Sequence, residues 1–186
     1  VSFLRRPMSV YQYNKQQRKI EFLYKVQGKG TMAMSSLKHS DYFNIVGPLG
    51  KGFELNKNYK NILIVARGVG LATLAPLANL AFEKKINLTI ICSARSKEYL
   101  MSLELFESLS SSVFTITDDD NTSSVDNLNR LINQFIKNKR VDAIFTCGSS
   151  RILKLLKDIC EQYNIPGQVA LEQQMACGIG MCFCCV

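Results

Sequence analysis

The chain has 186 residues, 47% of them hydrophobic, enough to bury a core in one large domain or two small ones. Its 23 basic and 15 acidic residues leave a net charge of +8; the lysines are scattered over loops and helix ends, without the aromatic-rich basic stripe of a single-strand binder, so no nucleic-acid partner is expected. No run reaches the about 18 apolar residues of a membrane span, and Val1-Ser2-Phe3-Leu4-Arg5-Arg6-Pro7 lacks the features of a secretory signal, so a cytoplasmic protein without a membrane partner is expected.

The first 55 residues read as short antiparallel β segments. Met8–Tyr13 alternates, and Ile20, Phe22, Tyr24 and Val26 fall on one side of a second run. Gly28-Lys29-Gly30 breaks that run, and Phe43–Val46 starts another, closed by Gly47-Pro48-Leu49-Gly50. From Asn61 the pattern changes. Ile62-Leu63-Ile64-Val65-Ala66 is continuously apolar, as in a strand buried on both faces. Further strands are expected at Leu88–Cys92, Val113–Thr117, Ala143–Thr146 and Val169–Leu171. Helices are expected at Leu71–Lys84, Lys97–Leu109, Ser124–Asn138 and Ser150–Tyr163. Such alternation predicts a doubly wound α/β domain with a parallel sheet. The domains expected are residues 1–56, part of a β-barrel; 57–171, the α/β unit; and 172–186, the start of a metal-binding segment. The chain opens on Val1 and stops in a cysteine cluster, so both ends read as internal to a longer protein.

Two motifs carry chemistry. Arg67-Gly68-Val69-Gly70 follows the first buried strand and precedes a helix, the place where backbone N–H groups hold a diphosphate. A tight β–α turn that binds nothing is the alternative. Arg67 either adds charge at the phosphates or is solvated. Thr146-Cys147-Gly148-Ser149 ends the fourth strand of the unit, on the edge where ligands of open sheets bind, so Cys147 either faces a cofactor or packs in the core. Asp118-Asp119-Asp120 reads as a solvated turn, and His39, the only histidine, as a surface residue.

The second motif is the crowding of Cys177, Cys182, Cys184 and Cys185 into nine residues, which favours a metal site over disulfides. Cys177, Cys182 and Cys185 form C-x4-C-x2-C, three-quarters of the plant-type [2Fe–2S] pattern. Gly178 and Gly180 permit the positive φ angles of a loop wrapped round a cluster. Zinc or a reactive thiol pair is the alternative. Cys184 is discounted as the fourth ligand because neighbours in a strand point opposite ways; that ligand is expected beyond Val186.

Assembled in this order, the residues resemble the electron-transfer subunit of class 1B dihydroorotate dehydrogenase, in the ferredoxin–NADP⁺ reductase superfamily. Arg5-Arg6-Pro7-Met8-Ser9 resembles the R-x-P-x-S flavin motif, and Gly47–Phe53 resembles the G-P-L-G-x-G-F that ends the barrel. Leu171-Glu172-Gln173-Gln174-Met175-Ala176-Cys177-Gly178-Ile179-Gly180 is the most specific match. The resemblance implies that Arg6 contacts the FAD diphosphate and that Pro7, Met8 and Ser9 lie along the flavin. It implies that Thr31, after Gly30, bonds a phosphate, that Gly68 and Gly70 hold NAD(H), and that Cys147 and Gly148 lie near the nicotinamide. It implies electron transfer between NAD(H) and an FMN-containing catalytic subunit through FAD and a [2Fe–2S] cluster, in pyrimidine biosynthesis, with no side chain acting as acid or base. Similar subunits serve other oxidoreductases, including sulfide dehydrogenase-like and ferredoxin–NADP⁺ reductase complexes; a nucleotide- or zinc-binding module without activity is a third reading. Arg67, Thr73, Asp120 and Ser149 depart from the residues usual in the family. Arg95, in Ser93-Ala94-Arg95-Ser96 after the second strand of the unit, leaves NAD against NADP open, with the family preferring NAD.

Overall fold

A computed structural model of the chain describes residues 5–110, 112–138, 140–171 and 174–185. The N-terminal part holds a small hairpin of β1 (Gln12–Asn14) and β2 (Lys19–Glu21), paired antiparallel with Tyr13 opposite Ile20. A seven-residue helix, α1 (Lys29–Ser35), follows. Strand–helix alternation then runs through β3 (Asn61–Arg67), α2 (Leu71–Glu83), β4 (Asn87–Ala94), α3 (Leu103–Leu109), β5 (Val113–Thr117), α4 (Val125–Asn138), β6 (Ala143–Cys147), α5 (Ser150–Tyr163) and β7 (Gly167–Ala170). The five later strands form one parallel sheet in the order β5-β4-β3-β6-β7. The chain therefore winds outward from β3 in one direction, then returns to add β6 and β7 on the other side. That reversal creates a switch point between β3 and β6.

Alternation along β3 divides the core. Ile62, Ile64 and Ala66 face a cluster with α2 and Phe106 of α3, while Leu63 and Val65 face Leu128 and Ile132 of α4 and Ile152, Leu156 and Ile159 of α5. Helix α2 is buried over most of its surface, because the N-terminal segment covers the side that the sheet does not: Tyr11, Phe53, Leu55 and Tyr59 pack against the same cluster. Its alanines at 72, 75, 78 and 81 keep it thin enough to lie between two layers. Phe53 meets the buried Phe145 edge to face, with ring centroids 5.7 Å apart. Beside them the Gln168 side chain accepts from the Glu54 N–H at 2.9 Å and donates to its carbonyl at 2.7 Å, a strand-like pairing made by one amide.

The expected parallel sheet is present, but the N-terminal reading needs correction. Of the first expected run only Gln12 and Tyr13 are strand, and of the second only Lys19–Glu21; Phe43–Val46 forms none, and Gly28-Lys29-Gly30 opens a helix instead of a loop. Thr31 explains the helix: its hydroxyl accepts the N–H groups of Gln27 (2.9 Å) and Gly28 (3.1 Å), tying down the start of α1. The helix expected over Lys97–Leu109 is split into a 3₁₀ turn at Lys97–Tyr99 and α3, with Ser102 between them at a positive φ of 61°. The Ser102 hydroxyl accepts from Tyr11 Oη at 2.7 Å. Among the described residues no helix is long and apolar enough to cross a membrane.

Asp142 joins the β-segment linker to the sheet, and its loss has a pH signature. One carboxylate oxygen accepts the N–H groups of Lys60 (2.8 Å) and Asn61 (2.9 Å), and the other meets Arg140 Nε at 3.0 Å. Burial, the largest single influence, raises its pKa, but the two N–H bonds and Arg140 outweigh it, so the carboxyl stays below its ordinary value. A depressed folded pKa gives stability that is present above the unfolded value of about 3.9 and disappears as pH falls through the folded one. Asp142→Ala should cost about 1–3 kcal/mol in urea unfolding at pH 7, and the difference from the parent should shrink below about pH 4.

Candidate functional site

The switch point brings together two loops at the carboxyl ends of β3 and β6. The first is the 3₁₀ turn Gly68-Val69-Gly70, which runs directly into α2; Gly68 has a φ of 54° and Gly70 is buried. The second is Cys147-Gly148-Ser149, which opens α5 with the Ser149 hydroxyl accepting the Arg151 N–H at 3.3 Å. Both contacts between the loops depend on glycine. A Cβ on Gly70 would lie 2.6 Å from the Cys147 carbonyl oxygen, and one on Gly148, whose φ is 132°, would lie 3.1 Å from Arg67 Cβ. Thr146 locks the strands beneath by donating its buried hydroxyl to the Val65 carbonyl at 2.7 Å. A polar crevice of about 260 Å³ opens beside β6 and β7, lined by Thr146, Gly148, Ser149, Ser150 and Val169. Cys147 itself is 3% exposed and belongs to the core cluster, so packing, one of its two expected roles, is the one its side chain fills.

Arg67 is neither solvated nor turned toward an empty loop. Its Nη1 donates to Ser93 Oγ at 2.8 Å and its Nη2 to Asp118 Oδ2 at 2.6 Å, so one side chain ties the ends of β3, β4 and β5. Asp118 also accepts from the Ser123 hydroxyl. The bond from Arg67 first, then that from Ser123, with the charges of Arg67 and Arg151, hold the Asp118 carboxyl below the usual carboxylate range against the opposing effect of its burial. The expectation of a solvated aspartate turn therefore fails at Asp118. It fails in part at Asp120, which bonds Thr117 at 3.0 Å and pairs with Lys97 at 3.3 Å. Ser93, Asp118 and Ser123 were not picked out by sequence reasoning. The signal lies in the parallel register, which sets Ser93 opposite Arg67 and Thr117 opposite Ala94.

The N-terminal motif reaches the same place. Ser9 Oγ accepts from Thr73 Oγ1 at 3.0 Å, joining the R-x-P-x-S segment to the first turn of α2. Arg6, Pro7 and Ser9 are exposed and Met8 is half-buried, which leaves this segment open to a ligand. Gly30 is buried within α1, and the Thr31 hydroxyl is engaged by its own helix start. His39 is exposed in a loop, as expected.

The cysteine loop, residues 174–185, has no helix or strand. Cys177 Sγ accepts the Ile179 N–H at 3.4 Å. That bond, followed by those from the Cys182 N–H and thiol, holds the Cys177 thiol down to about 6; the Met181 N–H adds to them. Gly178 and Gly180 have φ of 72° and 79°. A Cβ on Gly178 would touch Leu49 Cδ1 at 3.4 Å, so this loop lies against Gly47-Pro48-Leu49-Gly50. A thiolate surrounded by N–H donors suits an iron–sulfur ligand set; Cys177 meets that description, and Cys182 is its neighbour, donating to it. Cys185 is not gathered with them: among the described residues no three Cys, His, Asp or Glu side chains surround one point. Cys184 and Cys185 lie in a turn that follows Phe183 at φ 54°, so the strand argument against Cys184 does not hold. Glu172 and Gln173, part of the most specific motif, lie outside the described residues.

The thiols should differ sharply in reactivity. Burial, with the charge of Glu107 adding, pushes Cys92 up to about 12. Iodoacetamide at pH 7 is expected to label Cys177 first in the metal-free chain, with a rate that rises with pH and levels off above about pH 7, while Cys92 stays unlabelled until unfolding. Peptide mass mapping reads both.

No family model matches the chain. It is 36% identical over 184 residues to the dihydroorotate dehydrogenase B (NAD(+)), electron transfer subunit of Caldanaerobacter subterraneus subsp. tengcongensis, covering 99% of this chain and 70% of the relative. It is 34% identical over 182 residues to the subunit of the same name from Clostridium acetobutylicum, covering 98% of this chain and 70% of the relative. Among solved structures, an NADH-dependent reduced ferredoxin-NADP oxidoreductase described for flavin-based electron bifurcation superposes with a TM-score of 0.83 at 29% identity, covering 98% of this chain and 66% of that one. Ferredoxin-NADP+ reductase from Plasmodium falciparum shares the fold at a TM-score of 0.60 and 12% identity, over 88% of this chain and 81% of that one. Identity at this level over nearly the whole chain places the protein in the family of dihydroorotate dehydrogenase B electron transfer subunits, oxidoreductases of ferredoxin–NADP⁺ reductase-like fold.

Proposed function

We propose that the chain carries electrons between NAD(H) and a partner oxidoreductase subunit, with FAD and a [2Fe–2S] cluster as the intermediate carriers. The partner is the FMN-containing catalytic subunit of dihydroorotate dehydrogenase, and the setting is the cytoplasm. The observation that carries this reading is the Ser9–Thr73 hydrogen bond at 3.0 Å. It fastens the flavin motif to the first turn of the helix that follows the glycine turn, so ligands on the two segments would be neighbours. Transfer of a hydride requires that adjacency. When bound, the dinucleotide would exchange a hydride, accepting it when dihydroorotate is the electron donor, the flavin would convert between two-electron and one-electron chemistry, and the cluster would supply single-electron transfer.

Residues 1–56 form the flavin-binding part, with Arg6 on the FAD diphosphate, Pro7, Met8 and Ser9 along the ring system, and Gly30 and Thr31 at a phosphate. Residues 57–171 form the dinucleotide-binding domain. Gly68 and Gly70 let the backbone approach the diphosphate, and the Cys147 and Gly148 backbone walls the nicotinamide side, with Cys147 holding that wall from the core. In residues 172–186, Cys177, Cys182 and Cys185 are the cluster ligands. The names of the relatives support NAD(H) over NADP(H). The contact of Leu49 with Gly178 supports a short path from the flavin part to the cysteine loop.

Purification of the tagged chain from its own cells tests the partner. A co-purifying flavoprotein that oxidises dihydroorotate and reduces NAD⁺ only in the chain's presence is the expected result. Recovery of a different oxidoreductase, with no orotate formed, would assign the chain to another complex.

A further inference from the structure

Arg67 raises a question that tying three strands together does not answer. Arg67 and Asp118 pair one to one at 2.6 Å, and exposed Arg151 adds one positive charge beyond that pair. Arg67 and Arg151 both act on the single carboxylate of Asp118. Arg151 stands in the first turn of α5, where the helix dipole disfavours a cation and no acidic residue offsets it. The other charges on this edge cancel more evenly: Lys97 pairs with Asp120, and exposed Arg95 stands beside exposed Asp119, whose N–H bonds the Arg95 carbonyl at 3.1 Å. A guanidinium has five N–H groups, and the bonds to Ser93 and Asp118 engage two of them. The Arg67 side chain remains 19% exposed. Its Cβ packs against Gly148, so its stem starts beside the second glycine loop and its fork ends over the carboxyl ends of β4 and β5.

We propose that Arg67 is a phosphate-binding residue of the nucleotide site, with Asp118 and Ser93 acting as positioning residues that hold its guanidinium over the carboxyl ends of β4 and β5, beside the switch point. The inference rests on the dinucleotide reading above. Its ligand is a phosphate of the bound nucleotide. That phosphate is either in the diphosphate, which lies over the glycine turn, or at the ribose 2′ position, which lies toward the end of β4. A carboxylate that orients an arginine reduces the entropy lost when the fork meets an anion, and charge-assisted bonds to phosphate are among the stronger polar contacts.

Calorimetric titration of the intact chain with adenosine, 5′-AMP, ADP and adenosine 2′,5′-bisphosphate tests this. Arg67→Gln should weaken one of the two doubly phosphorylated ligands about tenfold, leave adenosine unchanged, and be partly rescued by Arg67→Lys. Loss confined to ADP places the contact at the diphosphate; loss confined to the bisphosphate places it at the 2′ position. Equal loss for all four ligands, or affinities all within twofold of the parent, would overturn the proposal while leaving the dinucleotide reading in place. If the parent chain binds none of the four, both fall. Should Arg67→Gln fail to fold, the side-chain N–H resonance of Arg67 in the parent decides. A shift with ADP or the bisphosphate but not with adenosine supports the contact, and no shift with either contradicts it.

Discussion

Gly70→Ala is expected to lower NADH affinity roughly 10- to 100-fold, because losing N–H bonds to the charged diphosphate costs about 1.5–3 kcal/mol. The backbone of Gly70 is ordinary, with φ −58°, so the effect is one of space and not of conformational strain. The new methyl would sit 2.6 Å from the Cys147 carbonyl oxygen and 2.9 Å from its carbonyl carbon, both backbone atoms at the end of β6, which is paired on both sides by β3 and β7. Only the glycine turn can yield. Its movement would carry the N–H groups of α2 away from the diphosphate and pull on the Thr73–Ser9 bond. Overpacking of this kind also costs about 1–3 kcal/mol of stability, so binding is to be measured well below the melting transition. Affinity unchanged within twofold would show that the dinucleotide does not use this glycine turn.

Phe145→Ala is expected to produce the largest loss of stability, about 3–5 kcal/mol, read by urea unfolding. Phe145 is 0% exposed in β6 and belongs to the cluster that packs on α2. Its ring also receives Phe53, from the segment before the sheet. The change therefore tests how the two parts are joined as well as how the core is filled. If the N-terminal segment docks through this pair, a double-mutant cycle with Phe53→Ala should give a coupling of about 1 kcal/mol. Phe53→Ala alone should loosen residues 5–60 while the sheet keeps its far-ultraviolet signal.

The α/β unit was legible in the sequence because its signals are redundant. Ile62–Ala66 has no polar residue, the glycine turn follows at once, and each later apolar run is followed by an amphipathic stretch; burial and periodicity agree. The N-terminal part was less legible because its strands depend on partners. Ile20, Phe22, Tyr24 and Val26 alternate over seven positions, yet only three residues of that run pair, opposite Gln12–Asn14. α1 turns on one threonine hydroxyl that reaches back to two N–H groups, which composition around Gly28 and Gly30 does not announce.

Site residues divide in the same way. Gly68, Gly70 and Gly148 could be picked out because a turn after a buried strand narrows the choice of residue, and the structure places all three at the switch point. The ties of Arg67 to Ser93 and Asp118 were hidden, since these residues are 26 and 51 positions away and meet only once the strand order is known. In the cysteine loop the spacing identified Cys177 and Cys182 as neighbours, whereas the treatment of Cys184 assumed a strand where the chain turns at Phe183.

The most direct test of flavin and dinucleotide lying side by side is anaerobic mixing of the FAD-loaded protein with NADH, followed by flavin absorbance. The account predicts bleaching at a rate that saturates with NADH concentration and is lost in Gly70→Ala. Bound FAD reduced no faster than free FAD would contradict it.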